Sequence, residues 1–247
     1  MLWYKSWLDT RWRFLIGLAL LCCMAIVVVF TRPEVAKLIP VAGTLDTSGE
    51  IGRRIKDTVE LSREYRGYVW AQWFRQNLLQ LATLFAVLLG SGGLISGAGT
   101  LFMLSMPASR SRLIWVRASA GLAELLVLVF VPSLLIPLLS PAIGESYGIT
   151  NALVHSICLF VAGAAFFSLA LLLSTIFHDL WRPLLAALSI AVLLAVVPPA
   201  SSSIFAVMSG ESYFRTGQMP WLGLLASIGA SAAMLYFAVV NIGHRDF

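Results

Sequence analysis

An all-α membrane protein is the fold class this sequence predicts, and three observations predict it. Apolar residues fill 59% of 247 positions, while Asp, Glu, Lys and Arg fill only 12%. Soluble domains carry about twice that share of charge. The mean hydropathy is +0.88. The apolar residues also gather into six blocks, each near the roughly 20 residues that a helix needs to cross a hydrocarbon core. Lipid offers no partner to an open backbone group, so each block is expected to be helical. The polar stretch from Thr31 to about Gln72 is too short and mixed for a folded unit of its own. Residues 1–247 therefore read as a single membrane domain.

The first element expected is an interfacial helix over residues 1–12. Trp3, Trp7 and Trp12 alternate there with Lys5, Asp9 and Arg11, which suits a segment lying in the headgroup region. The spans follow at about 14–30, 76–96, 116–139, 152–177, 181–198 and 220–241. Lys5, Arg11 and Arg13 precede the first apolar run as in a signal peptide. That run, Phe14–Phe30, has 17 residues, more than a typical h-region, and no small-x-small site follows it directly. It reads as an uncleaved span. Loop 1 carries eight Lys/Arg and six acids. Within it, Thr47 and Glu50 have capping-box spacing, and Ile51, Ile55 and Val59 follow at helical intervals. An external amphipathic helix is expected there. Tyr65, Tyr68, Trp70, Trp73 and Phe74 then read as an outer aromatic belt feeding span 2. Pro132, Pro137 and Pro141 are expected to bend the outer end of span 3, and Pro198-Pro199 the end of span 5. The apolar stretch Ser201–Phe214 suits a re-entrant piece, provided protein covers its backbone groups.

Short loops set the orientation. The N-terminal tail holds Lys5, Arg11 and Arg13, and the second loop holds Arg110, Arg112 and Arg117 without an acid. Both belong inside by the positive-inside rule, so both termini are expected in the cytoplasm of a multi-pass, bacterial-type plasma membrane protein. The net charge of +5 is explained by topology. Cys22, Cys23 and Cys158 lie within apolar blocks and lack metal-ligand spacing, so they read as packing residues.

Few residues carry chemistry. No G-x-x-x-x-G-K-[ST] phosphate loop, no H-E-x-x-H helix and no G-x-S-G nucleophile is present, so the chain is not read as an enzyme and binds no cofactor of its own. Glu124, seven residues beyond Arg117 and on the same helix face, is a candidate intramembrane polar residue. A partner on a neighbouring helix near the inner interface is its plainest role. Asn77 and Gln80, one turn apart, are expected to line a polar cavity or to bond another helix. His155 reads as an interfacial side chain. Gly93-x-x-x-Gly97 and Gly223-x-x-x-Ser227-x-x-x-Ser231 are small-residue stripes suited to helix contacts, within the chain or between chains.

The most specific local feature lies between spans 2 and 3. Thr100 is placed to cap a short helix bearing Leu101, Phe102 and Leu104, and Pro107 stops it. Such a helix on the cytoplasmic side suits docking into a groove of another protein. Gly99-Thr100-Leu101 followed by Leu104-Ser105-Met106-Pro107-Ala108-Ser109-Arg110 resembles the loop of ABC-2 type transporter permeases, where a pattern close to G-T-L…L-S-x-P-x-S-R follows the second span. Trp12-Arg13-Phe14, the terminal Arg245-Asp246-Phe247 and the six-span layout are similar to that family as well. Ser96-Gly97-Ala98 stand where the family carries charged residues. The resemblance implies a permease subunit that pairs with a second copy or a homologous permease. It implies a coupling helix between spans 2 and 3, seated on a separate ATP-binding subunit that holds ATP and Mg. Gly99, Thr100, Leu101, Phe102, Leu104, Ser105, Pro107, Ser109 and Arg110 would form the docking site, with His178, Asp179 and Arg182 as a secondary contact. The direction implied is export, and apolar spans favour a lipidic or amphipathic cargo. The rival reading is a secondary transporter or channel-like protein that needs no ATPase; interrupted helices with mid-membrane charges would mark it. Nucleic acid is not an expected partner.

Overall fold

The structure, a computed structural model, describes residues 2–42, 49, 59–91, 110–177, 179, 181–196 and 203–243. Among these the regular elements are helical. They are α1 (Leu2–Ala42), α2 (Tyr65–Val69), a π segment (Trp70–Asn77), α3 (Leu78–Gly90), α4 (Arg110–Leu139), a 3-10 turn (Ser140–Ile143), α5 (Ile149–Ile176), α6 (Trp181–Val196), α7 (Ile204–Ser209), α8 (Glu211–Thr216) and α9 (Trp221–Gly243). Four helices are long and apolar enough to cross a membrane: Ser6–Lys37 in α1, Ser111–Ile143 across α4 and the turn after it, Ile149–Ile176, and Trp221–Ile242 in α9. α6 is apolar but shorter, with 16 residues. α2, the π segment and α3 follow one another without a break, over five, eight and thirteen residues.

The separate interfacial helix expected over residues 1–12 is not a separate element. α1 runs unbroken for 41 residues, or about 60 Å, twice the roughly 30 Å of a hydrocarbon core. Its first turns are simply the start of the span helix. Trp3, Tyr4, Trp7 and Trp12 nonetheless remain exposed, as interface anchors would be.

Prolines inside the long helices do not end them. α4 continues through Pro132 and Pro137 to Leu139. Each proline withdraws one donor from the helix ladder. Serine hydroxyls beside them bond back to the chain, Ser133 to the Val129 carbonyl at 2.7 Å and Ser140 to the Ile136 carbonyl at 2.6 Å. Pro33 in α1 likewise cannot donate to Val29, and the Tyr68 hydroxyl donates to the adjacent Val28 carbonyl at 2.9 Å.

α5 is the central helix. Of its most apolar window, 61% is buried within the chain, against 28% in α1 and 22% in α9. It packs against α3, α4, α6, α7 and α9, while α1 lies on α4 and α3. Gly90 and Gly121 let this happen. A Cβ on Gly90 would strike the Phe167 carbonyl oxygen, and one on Gly121 would come within 2.5 Å of the Phe167 ring. The Gly223/Ser227/Ser231 stripe of α9 is also consumed inside the chain. A Cβ on Gly223 would meet Val207, and both serines are buried.

The stretch expected to be re-entrant forms two short helices, α7 and α8, turned about Gly210 at φ 63°. Ser203 caps α7 by accepting from the Ala206 amide at 3.2 Å. α7 packs on α5, with Val207, Met208 and Ser209 buried.

Candidate functional site

Three regions carry the expected chemistry. The stretch from Gly99 to Ser109 lies outside the described residues, as do Gly93, Gly97, His178 and the Thr47/Glu50 cap. Arg110 is the first residue of α4. The two helix ends that hold this loop are well placed, however. Arg13 of α1 donates to the Leu88 carbonyl at 3.1 Å, so a cation caps the C-terminal end of α3 where helix carbonyls lack partners. Thr10 of α1 donates to Glu124 of α4 at 2.5 Å. The C-terminal end of α3 and the middle of α4 therefore both sit beside the start of α1, and Arg117, two turns nearer the start of α4, feels the charges of Asp9 and Arg13.

Glu124 thus has its partner on a neighbouring helix. It is 5% exposed, and its second oxygen, Oε2, is buried with no hydrogen-bond partner among the described residues. Arg117, two turns away and also buried, has an unpartnered Nε. Asp179 and Arg182 form an exposed ion pair at 3.0 Å.

At the other end, the structure corrects two expectations. The aromatic residues 65–74 are not a lipid-facing belt. Trp70, Trp73 and Phe74 are fully buried, and Tyr65 and Tyr68 nearly so. Trp70 lies under Ser209 of α7 and Phe214 of α8, Trp73 bonds Ser133 of α4, and Tyr65 and Tyr68 reach Ser140 and Val28, which no local pattern announces. His155 is not interfacial either: it is fully buried. It stacks on Phe74 at 4.7 Å and meets Tyr213 edge-on at 5.5 Å. Its Nδ1 lies 3.1 Å from the Ser209 carbonyl. A carbonyl only accepts, so Nδ1 carries the hydrogen. The same carbonyl accepts from the Trp70 indole at 3.0 Å. Gly210 must be glycine on two counts, its left-handed backbone and the 2.6 Å that would separate a Cβ from His155 Nδ1.

Arg32 closes this cluster. It donates to the Ser62 and Arg63 carbonyls at 2.7 and 2.9 Å, approaches Glu145 at 3.9 Å and lies over the Tyr68 ring at 5.2 Å. Tyr65 bonds Ser140 at 2.7 Å and meets Tyr147 edge-on. These contacts tie α1, α2 and the C-terminal end of α4 together. Burial pushes the Tyr147 phenol up from its ordinary range.

Against this cluster opens a polar cleft of about 850 Å³. Gln72, Arg75, Gln76 and Gln80 line one wall, Phe214 and Arg215 another, and Glu60 and Glu64 lie before the helix begins. Gln80 lines this cleft and Asn77 does not. The Arg75 guanidinium lies over the Trp70 ring at 5.4 Å, and Trp70 stacks on Phe214 at 4.3 Å. Among the described residues no group of three or more His, Cys, Asp or Glu could hold a metal.

No family model, curated protein or solved structure matches the chain. Its function is therefore argued from its own residues.

Proposed function

We propose that the chain is the permease subunit of an ATP-binding cassette transporter, forming half of a translocation path and driven by a separate ATPase. The observation that carries this reading is the Gly99–Arg110 pattern, set between α3, whose last turn lies against Arg13, and α4, whose early residue Arg117 feels the charges of Asp9 and Arg13. That end of the bundle bears Arg11, Arg13 and Arg112 and the exposed Trp3, Trp12, Trp115 and Trp181. Basic residues with aromatic anchors mark a cytoplasmic interface, the side on which an ATPase would dock. In this reading the α2–π–α3 segment and α6 complete six crossings with the four long helices. Both termini then face the cytoplasm, and the protein sits in the inner membrane. Energy enters at the loop after α3. The path for cargo runs along the polar face of α3, completed by a second permease copy.

The test is assembly. Mild-detergent purification of this chain from its own membranes is expected to bring down an ATP-binding subunit. Leu101→Asp with Phe102→Asp should release that subunit or leave ATP hydrolysis uncoupled from transport. Wild-type assembly and transport in the double variant would remove the docking assignment.

A further inference from the structure

The polar face of the α2–π–α3 segment changes character along its length. Gln72, Gln76 and Gln80 recur every four residues and line the cleft, with Arg75 beside them. One turn beyond Gln80 on the same face stands Leu84, 36% exposed, and then the half-buried Leu88. Gln80 lies ten residues before Gly90, or about 15 Å along the helix, half the depth of a hydrocarbon core. Amide side chains at that depth need a polar partner, because lipid tails supply none.

Arg75 is the cation beside the glutamines, and Arg63 lines the far end of the cleft. No carboxylate pairs with Arg75 among the described residues. It rests on Trp70, which is itself fixed by the Ser209 bond and the Phe214 stack. That seat orients the guanidinium and leaves its edge donors for a ligand. Arg215, across the cleft, is by contrast tied to Glu211 at 2.8 Å.

We infer that this cleft binds the anionic headgroup, phosphate or carboxylate, of a membrane amphiphile. Arg75 takes the charge with a forked pair of hydrogen bonds. Gln76 and Gln80 bond the polar groups below it, and the tail follows Leu84 and Leu88 into the bilayer. Glu60, Arg63 and Glu64 line the far end of the cleft, and a lipid reaches the glutamine face sideways. The proposal uses the membrane placement of α3 and is independent of any ATPase, since binding is read on the purified chain.

The experiment is native mass spectrometry of the full chain in a neutral detergent, titrated with phosphatidylglycerol or phosphatidylcholine. Preferential retention of phosphatidylglycerol is expected, weakened about tenfold by Arg75→Gln and several-fold by Gln80→Leu. Arg112→Gln, at the opposite end of the bundle, should change nothing. Circular dichroism verifies that each variant keeps its helicity, and Gln80→Leu carries the test if Arg75→Gln does not fold. Inorganic phosphate at the same concentration should leave the lipid bound; displacement by it would overturn the lipid in favour of a soluble anion. Equal retention of the two lipids would overturn the proposal. So would unchanged binding in folded Arg75→Gln, or loss of a dimer in that variant with lipid binding intact.

Discussion

Thr10 and Glu124 lie 114 residues apart and meet inside the bundle. Glu124 has one bonded oxygen and one unpartnered oxygen, so Thr10 supplies the partner that keeps a buried acid tolerable. Removing that hydroxyl leaves both oxygens bare. Thr10→Val is expected to destabilise the chain by about 1.5–3 kcal/mol, the usual worth of a hydrogen bond to a charged group. Glu124→Gln keeps an acceptor and should cost clearly less. Thermal unfolding in micelles reads both, and a Thr10→Val melting point equal to wild type would end the assignment. Glu124 was legible in the sequence because an acid within an apolar run has few uses. Thr10 was not, since a threonine flanked by charged and aromatic residues looks like any other surface position.

Helix by helix, close approach depends on where side chains are missing. Gly90 sits where α3 meets the backbone of α5, while Gly229 on α9 has open space around it. Gly90→Ala must push α3 away from the Phe167 carbonyl, and a backbone atom cannot swing aside as a flexible side chain can. Gly229→Ala meets nothing and gains helix propensity of about 1 kcal/mol. The pair should therefore move the melting temperature in opposite directions; a shared sign would contradict the described packing. The π segment belongs to this scale too. Its eight residues, Trp70–Asn77, far exceed the single turn in which π geometry usually occurs. They turn Trp70, Trp73 and Phe74 into the core while Arg75 and Gln76 face the cleft. Aromatic residues beside a span are commonly interfacial, which is why their burial could not be read locally.

For the whole molecule, orientation is the decisive quantity. The start of α1, the end of α3 and the early residue Arg117 of α4 share one end, and Arg32, Tyr65 and Tyr147 gather at the other. Single cysteines in a background lacking Cys22, Cys23 and Cys158 test this with an impermeant maleimide. Trp3→Cys and Arg112→Cys should react only from the cytoplasm, and Arg215→Cys only from outside. Labelling of Arg112→Cys from outside would invert the molecule and remove the docking loop from reach of any ATPase.

Composition and apolar run length alone pointed to a helical chain with several helices long and apolar enough to cross a membrane, because the cost of open backbone groups in lipid leaves few alternatives. They also located four long helices to within a few residues at most ends, apart from the continuous first helix, since the rise per residue links length to bilayer thickness. Tertiary structure decided what faces what. The burial of Trp70 under α7 and α8, the Arg32 tie, the caged His155 and the polar-to-apolar face of α3 join residues distant in sequence. Helical periodicity says which side chains share a face. Only packing says whether that face meets lipid, water or another helix.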